Sequence, residues 1–198
     1  VNPATAWRLL TGFDKPEVIV QNAANSAVGR CVIVLAKELG IRTINLVRRP
    51  ELREELLELG ADEVLIDEDS AVEAVKASGA RPSLAFNCVG GESALRLMNL
   101  LGPGGIHVTY GAMARRPLTV PNGLLIFKDL QLRGLWITKW IESAPTEELR
   151  SAYGRLAEAM VAGKLSMPVD RTFALTEFQS AIARLAEPDR NGKVLLTM

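Results

Sequence analysis

Cysteine and histidine are scarce in this sequence. Its 198 residues include two Cys and one His. A structural zinc site takes about four such ligands, and a disulfide framework needs several cysteine pairs. We therefore predict neither a metal site nor a disulfide-stabilised fold.

Excess charge of one sign and long apolar segments are also absent. Lys and Arg together number 23, as do Asp and Glu, so no broad basic surface is expected and nucleic acid is not a predicted partner. No apolar run reaches the roughly 18–20 residues that cross a bilayer, and we predict no membrane association. Apolar residues make up 48% of the chain, which is ample for the core of one large domain, or of one domain plus a piece of another.

Glycine is sparse in the segment around which the chain is organised, residues 18–40, VIVQNAANSAVGRCVIVLAKELG. A short apolar run, then small polar residues, then apolar residues at three- and four-residue spacing predict a strand, a tight loop and a helix that ends at Gly40. This arrangement is typical of the first unit of a dinucleotide-binding fold, where the helix N-terminus binds a pyrophosphate.

The loop retains only one glycine of the usual G-x-G-x-x-G fingerprint. Gly29 remains, and the other positions are filled by Asn22, Ala24, Asn25, Ser26 and Ala27. Ala and Ser are small enough for the backbone to approach a phosphate, and Asn tolerates unusual backbone angles and can donate from its amide. The pattern alone leaves open a plain strand–helix turn in some other α/β protein.

The rest of the chain alternates between strand and helix patterns. We predict further strands at 41–47, 63–66, 82–89, 106–110 and 130–136, helices at 2–10, 50–59, 70–78, 92–101 and 146–162, and a short helical turn within 118–129. This alternation predicts an α/β fold with a Rossmann-type doubly wound parallel sheet in the order 3-2-1-4-5-6. A strand, a helix capped by Thr176 and a last strand follow at 169–173, 176–186 and 192–198.

Ligands bind such sheets at the carboxyl ends of the strands. The second strand ends in Arg48-Arg49, about 20 residues after the loop, where an NAD-binding protein carries an acidic residue. Arginine can grip a phosphate with two hydrogen bonds, so the pair predicts NADP(H) as the cofactor. A solvated charge pair at the start of a helix is the alternative.

Several other residues receive structural interpretations. His107 lies within the fifth strand, away from its end, and is predicted to be structural. Cys88 and Trp140 are predicted core residues, whereas Trp136 at a strand end is predicted to line a pocket. The acidic run Asp67-Glu68-Asp69 is predicted to be a solvated turn and helix cap.

Seven segments, in order along nearly the whole chain, carry a family resemblance: VNPATAWRLL (1–10), QNAANSAVG (21–29), INLVRRP (44–50), FNCVGG (86–91), VTYGAM (108–113), LLIFKDLQLRGLW (124–136) and KVLLTM (193–198). Together they resemble the medium-chain dehydrogenase/reductase superfamily. Within it, the Asn-rich loop and the IFKDLQLRG…W block resemble the mitochondrial-type trans-2-enoyl thioester reductases.

The resemblance implies NADPH-dependent reduction of the C2–C3 double bond of an enoyl-CoA or enoyl-acyl carrier protein in fatty acid synthesis. It also implies a homodimer, which we expect to extend the sheet through the sixth strand, where Leu130, Leu132 and Leu135 form an apolar edge. From the loop pattern and the resemblance together, the predicted cofactor-binding residues are Asn2, Asn22, Asn25, Ser26, Ala27, Val28, Gly29, Arg48, Arg49, Tyr110, Gly111, Ala112, Met113, Leu135, Trp136, Ile137, Thr138 and Lys193.

The family also has an N-terminal barrel-like, GroES-like catalytic domain, with a Tyr that acts at the substrate carbonyl or as proton donor. Nothing before Val18 resembles it, and neither Tyr110 nor Tyr153 matches that Tyr. We therefore expect an NADP-binding domain at 1–164 and, at 165–198, strands that return to the largely absent catalytic domain. No catalytic residue is predicted in this chain, which should bind NADPH without turnover and expose an apolar face around Val169, Phe173 and Val194.

The loop after the second strand, RRPEL, is shorter than in many relatives, and Arg53 is a possible substitute for a missing basic contact. On this resemblance a bacterial cytoplasm is favoured over the mitochondrial matrix. Two other functions remain open: an NADPH quinone or alkenal reductase of the same superfamily, and a catalytically silent nucleotide-binding protein.

Overall fold

The computed structural model describes residues 1–187 and 189–198. Helices and strands alternate through most of the chain, as the sequence patterns predict. The strands are β1 (Val18–Gln21), β2 (Arg42–Val47), β3 (Glu63–Ile66), β4 (Leu84–Asn87), β5 (Ile106–Thr109), β6 (Gln131–Gly134), β7 (Val169–Ala174) and β8 (Lys193–Thr197). The helices are α1 (Asn2–Thr11), α2 (Ala27–Leu39), α3 (Arg53–Leu59), α4 (Asp69–Ala77), α5 (Gly91–Leu100), α6 (Asn122–Lys128), α7 (Ile137–Ser143), α8 (Thr146–Val161) and α9 (Phe178–Ala186).

Six of the strands form one parallel sheet in the order β3-β2-β1-β4-β5-β6. The predicted sheet and strand order are confirmed. Because all six strands run the same way, their carboxyl ends lie along one edge. The order reverses direction between β1 and β4, which is the point where ligands bind in sheets of this type.

The central strands are covered on both faces, although β2 also carries the buried polar residues Thr43 and Asn45. Ile19, Ile44 and Phe86 are completely buried, each on a different central strand. Leu46 and Leu97 join the same apolar cluster as Ile44, so β2 and α5 share one core. A strand covered on both faces needs apolar residues in succession and does not need alternation.

The chain divides into two compact units, Val1–Ala157 and Glu158–Met198. In the second unit β7 pairs in parallel with β8. The Arg184 guanidinium on α9 grips the Asp170 carboxylate with two hydrogen bonds, of 2.7 and 2.8 Å. The guanidinium holds the pKa of Asp170 well below its usual range. This division falls within α8, near the domain boundary predicted at 164/165. The predicted boundary itself stays a prediction.

Three local predictions need correction. Asn2 is a residue type that suits the N-cap of the first helix, but Val1 caps α1 and Asn2 lies inside its first turn, where Pro3 fixes the backbone. Thr176 does not cap α9, because residues 175–177 form a 3-10 turn and Glu177 is the residue before the helix. Helix α7 was not predicted, because its seven residues give too few turns for a helical apolar pattern to stand out.

Candidate functional site

The segment Gln21–Gly29, the phosphate loop, joins β1 to α2 at the point where the strand order reverses. Ser26 caps α2, and its hydroxyl accepts a hydrogen bond of 3.1 Å from the Gly29 N–H. The first N–H groups of a helix have no intrahelical partner, and the helix dipole makes this end attractive to anions. The predicted contacts Ala27 and Val28 form the first turn of α2 and are partly exposed. The loop therefore has the features of a pyrophosphate site.

Gly29 is the position in the phosphate loop where a side chain cannot fit. A Cβ there would lie 2.5 Å from the Ala24 carbonyl oxygen and 2.8 Å from the Ala24 Cα. Backbone atoms at that distance cannot rotate away. Gly29 thus allows the first turn of α2 to pack directly against the loop, which is the packing role of a fingerprint glycine.

Asn22 is predicted to contact the cofactor, but its side chain lies inside the protein. It is completely buried. Its side-chain N–H₂ donates to the Asn87 Oδ1 at 2.8 Å and to the Ser93 Oγ at 2.9 Å. Its Oδ1 accepts from the Cys88 N–H at 2.9 Å. Both amide hydrogens are used within the protein, so the side chain has none left for a cofactor.

Arg30 is a loop-positioning residue that the sequence reasoning missed. Its Nε donates to the Asn25 carbonyl at 3.1 Å, and its Nη2 lies 2.8 Å from the Glu55 Oε1. The Arg30 side chain is almost fully buried. The available signal was an arginine among the apolar residues of α2, at a position that should face the core.

The two arginines after β2 differ in their surroundings. The Arg49 Nε lies 3.7 Å from the Glu51 Oε1, so this arginine is partly neutralised. Arg48 is exposed, and within the described residues it has no hydrogen-bond or ion-pair partner. Arg53, at the start of α3, is also exposed. Of the predicted pair, Arg48 is the more available for a phosphate group.

Tyr110, which follows β5, carries a buried hydroxyl without a hydrogen-bond partner among the described residues. The Cys88 thiol and the Ser26 hydroxyl lie nearby, and burial raises the pKa of Tyr110 well above its ordinary value. Burial also raises the pKa of the Cys88 thiol, which is therefore a neutral core group as predicted. The hydroxyl is enclosed by protein atoms beside Ser26, the residue that caps α2, so a bound ligand does not reach it in this conformation.

The residues after Tyr110 follow the same sheet edge. Gly111 passes close to Cys88, since a Cβ there would lie 3.0 Å from the Cys88 Cβ. The Met113 N–H donates to the Cys88 carbonyl at 2.9 Å, which ties this segment to the end of β4. Ala112 and Met113 are exposed.

The segment after β6 contributes further predicted residues at the same edge. Trp136 is 69% exposed and precedes α7, as expected of a residue that lines a surface site. Leu135 and Ile137 are partly buried, and Thr138 is exposed. Trp140 is buried, as predicted, and its Nε1 donates to the Glu148 Oε1 at 2.9 Å.

Two predicted contacts lie apart from the phosphate loop in sequence. Asn2 is partly buried in the first turn of α1. Lys193 begins β8 in the second compact unit and is exposed. The cofactor role of both remains a prediction.

The acidic run after β3 is not simply solvated. The Asp67 carboxylate is nearly buried, accepts from the Ser93 hydroxyl and lies 3.0 Å from the Arg96 Nη1. Asp69 is exposed but also pairs with Arg96 at 3.0 Å, and Glu68 makes no cap hydrogen bond with its side chain. The prediction of a solvated cap is therefore wrong for Asp67, because an arginine and a serine 26 or more residues away replace water.

His107 is buried in β5, and within the described residues neither ring nitrogen has a partner. Burial lowers its pKa to about 4, so the ring is neutral near pH 7. This placement agrees with a structural histidine. Among the described residues, no three His, Cys, Asp or Glu side chains are grouped so as to hold a metal ion, and none of the helices has the length and hydropathy needed to span a membrane.

Known proteins similar to this chain are named as dehydrogenases and reductases. The family model described as "Zinc-binding dehydrogenase" matches residues 27–156. The mitochondrial enoyl-[acyl-carrier-protein] reductase of Rattus norvegicus is 39% identical over 100% of the chain and 56% of its own length. That of Caenorhabditis elegans is 45% identical over 83% of the chain and 50% of its own length. The chain thus spans about half the length of the curated relatives it matches.

Solved structures similar to this chain also include enoyl thioester reductases. The Etr1p/NADP/crotonyl-CoA complex matches with a TM-score of 0.86 and 30% identity over 100% of this chain and 59% of that one. The mitochondrial 2-enoyl thioester reductase Etr1p/Etr2p heterodimer from Candida tropicalis matches with a TM-score of 0.82 and 30% identity over 93% of this chain and 57% of that one. A putative NADPH:quinone reductase from Bacillus thuringiensis matches with a TM-score of 0.89, 24% identity and coverage of 100% and 62%, which shows the fold alone.

Proposed function

Since the chain belongs to the zinc-binding dehydrogenase family, we propose that it is the NADP(H)-binding part of an NADPH-dependent 2-enoyl thioester reductase. The substrate is a trans-2-enoyl-CoA or a trans-2-enoyl-acyl carrier protein, and the C2–C3 double bond is reduced in fatty acid synthesis. The observation that carries the proposal is similarity to named enoyl-acyl carrier protein reductases over the full chain. The quinone reductase alternative has weaker support, because the quinone reductases among the similar structures are 24–25% identical to the chain.

The residues at the carboxyl edge fit NADP(H) chemically. The N-terminus of α2, capped by Ser26, suits the pyrophosphate, and the exposed Arg48 suits a 2′-phosphate. Tyr110 is partly exposed at this edge, whereas its hydroxyl is buried. When bound, the cofactor supplies the hydride that a double-bond reduction requires. The segments Tyr110–Met113 and Leu135–Thr138 orient its reacting end and exclude water there.

The groups that act on the thioester carbonyl and protonate the product carbon are proposed to lie outside this chain. The chain spans about half of its relatives. In this proposal residues 1–164 bind the cofactor, and residues 165–198 belong with a catalytic domain. The chain by itself should then bind NADPH but not reduce an enoyl thioester.

A homodimer through β6 is part of the proposal. β6 is the last strand of the sheet order, so one side of it is unpaired. Leu132 is 40% exposed there, whereas Leu130 is buried and cannot contribute to the predicted apolar edge. On α6, Ile126 and Phe127 are exposed as well. The Etr1p/Etr2p neighbour is a heterodimer, which agrees with assembly in pairs.

The preference for a bacterial cytoplasm, drawn from the short RRPEL loop, has no support. The curated relatives are described as mitochondrial. Their names favour the mitochondrial alternative, and the compartment remains part of the proposal.

A fluorescence titration with NADPH and NADH tests the cofactor assignment. We expect tighter binding of NADPH, by about tenfold or ~1.4 kcal/mol, and loss of that preference in Arg48→Ala. Arg49→Ala should have a smaller effect, because Glu51 already neutralises part of its charge. Arg42→Ala is a matched control, because Arg42 is exposed at the opposite end of β2. Tighter binding of NADH would contradict the assignment.

The substrate is tested on the intact protein. Turnover of crotonyl-CoA with NADPH, and little turnover of a quinone, is the expected result. The reverse result would favour the quinone reductase. Cofactor binding without turnover of either compound would favour a catalytically silent nucleotide-binding protein.

A further inference from the structure

A chain of buried polar side chains lies beneath the phosphate loop. Asn22 is at its centre: its side-chain N–H₂ donates to Asn87 and Ser93 at 2.8 and 2.9 Å, and its Oδ1 accepts from the Cys88 N–H at 2.9 Å. The three partners lie 65 to 71 residues further along the sequence. The Asn22 side chain thus joins the end of β1 to the end of β4 and to α5, across the point where the strand order reverses.

The chain of hydrogen bonds continues on both sides of Asn22. The Ser93 hydroxyl donates to the Asp67 carboxylate, which also pairs with Arg96. On the other side, the Asn87 Nδ2 donates to the Thr109 Oγ1 at 3.1 Å. The carboxyl ends of β1, β3, β4 and β5 are therefore linked through side chains. Buried networks of this kind rigidify their surroundings when every member is satisfied.

This network supports a loop that is poor in glycine. Ala23, next to Asn22, has φ of +46°, a left-handed conformation that residues other than Gly, Asn and Asp adopt at a cost. The Ser26 N–H then bonds the Ala23 carbonyl at 2.8 Å, which completes the turn into α2. A strained residue persists only where its surroundings fix the backbone. The anchored Asn22 amide is directly adjacent and supplies that fixation.

We propose that Asn22 is a positioning residue: its amide holds the phosphate loop in the conformation that receives the pyrophosphate, without touching the cofactor. This inference rests on the proposed NADP(H) function. It replaces the role of direct contact expected from the sequence. Ser93 assists by holding the Asn22 amide from α5, and Asp67 holds Ser93.

The principal test compares two ligands in the intact protein and its Asn22→Asp variant. Aspartate has the same shape, but it presents an oxygen where the amide donated to the Asn87 Oδ1 and the Ser93 Oγ. One ligand is NADPH. The other is adenosine 2′-monophosphate, which carries the 2′-phosphate but no pyrophosphate. We expect the Kd for NADPH to rise about tenfold and the Kd for adenosine 2′-monophosphate to stay unchanged.

Two further variants separate positioning from contact and from general destabilisation. Ser93→Ala leaves Asn22 intact but removes one partner, and it should raise the Kd for NADPH about threefold. If Asn22 touched the cofactor directly, Ser93→Ala would have no effect. Val75→Ala is the control: Val75 is buried in the apolar core on α4, and its side chain makes no hydrogen bond with the network. It should lower the Tm without changing either Kd.

Each result supports or overturns the proposed positioning role of Asn22. Unchanged NADPH affinity in Asn22→Asp would overturn it, as would an equal loss for both ligands or no effect of Ser93→Ala. If Asn22→Asp does not fold, the Ser93→Ala result decides. Failure of the wild-type protein to bind NADPH would reject the proposed function itself, whereas equal binding by wild type and variants would reject only the role of Asn22.

Discussion

The phosphate loop forms a tight turn into α2, although it retains only one glycine of the G-x-G-x-x-G fingerprint. Gly29 is retained because the Ala24 backbone leaves no space for a Cβ. Ala23 occupies a left-handed conformation that glycine would adopt without cost. The sequence predicted a tight turn here, and the structure has one. What the sequence did not predict is that the turn is anchored by side chains from β4 and α5.

We expect Ala23→Gly to stabilise the protein by about 0.5–1 kcal/mol, since relief of the left-handed strain exceeds the added entropy of the unfolded chain. Urea unfolding of both proteins measures the difference. Ala74→Gly, in the exposed middle of α4, is a control with the opposite sign and should cost about 1 kcal/mol. Destabilisation by Ala23→Gly would show that the strain is not relieved.

His107 should make stability depend on pH. Its pKa in the folded protein is about 4, below the ordinary value of about 6.5. As pH falls below about 6.5, the His107 imidazole binds a proton in the unfolded chain but not in the folded protein. The free energy of unfolding therefore decreases until pH reaches the pKa of the folded state. Between pH 7 and pH 5 the loss is about 2 kcal/mol.

Urea unfolding at pH 7 and pH 5 checks this expectation in wild type and in His107→Leu. Carboxylates contribute equally to both proteins, so the difference between the two pH dependences isolates the imidazole. The leucine variant should lose about 2 kcal/mol less than wild type over this interval. Identical pH dependence of the two proteins would contradict a buried, neutral imidazole.

At the scale of elements, local patterns predicted the strands and their order, because β1, β2 and β4 are short segments rich in apolar residues between helices that begin and end at recognisable residues. Ser26 before α2 and Gly40 after it are examples. Local patterns could not predict the partners of Asn22 or the burial of Asp67. Those depend on residues 26 to 71 positions away, which only the folded sheet brings together.

The junction of the phosphate loop and α2 should be intolerant of a single methyl group. Gly29→Ala places that group 2.5 Å from a carbonyl oxygen, so the loop or α2 must move. We expect a stability loss of about 1–3 kcal/mol together with weaker NADPH binding, measured by thermal unfolding and fluorescence titration. Gly154→Ala is a matched control, because a Cβ at that exposed helical position meets no atom within 4 Å. It should leave NADPH binding unchanged and raise stability by about 1 kcal/mol, because alanine is the better helix former. Normal NADPH binding by Gly29→Ala would argue against close loop packing.

At the scale of the whole molecule, two of the exposed apolar surfaces among the described residues are relevant to association. One is the β6 edge with Leu132 and the neighbouring helix α6. The other is α9 of the second unit, where Phe178 and Ile182 are 49% and 60% exposed. At the face predicted around Val169, Phe173 and Val194, Val169 is exposed, whereas Phe173 and Val194 are only partly so. Either surface can cause association, so an oligomer alone does not identify the dimer interface.

Paired lysine substitutions distinguish the two surfaces. If β6 forms the dimer, Leu132→Lys should yield a monomer, because a charge on an edge strand opposes strand pairing. Ile182→Lys should leave the dimer intact and reduce only higher association. Light scattering over a range of protein concentrations measures both variants. NADPH titration of the Leu132→Lys monomer then shows whether the cofactor site is complete in one protomer, as the position of the phosphate loop within a single sheet predicts. A dimer that survives Leu132→Lys but dissociates in Ile182→Lys would place the interface on α9 instead of β6.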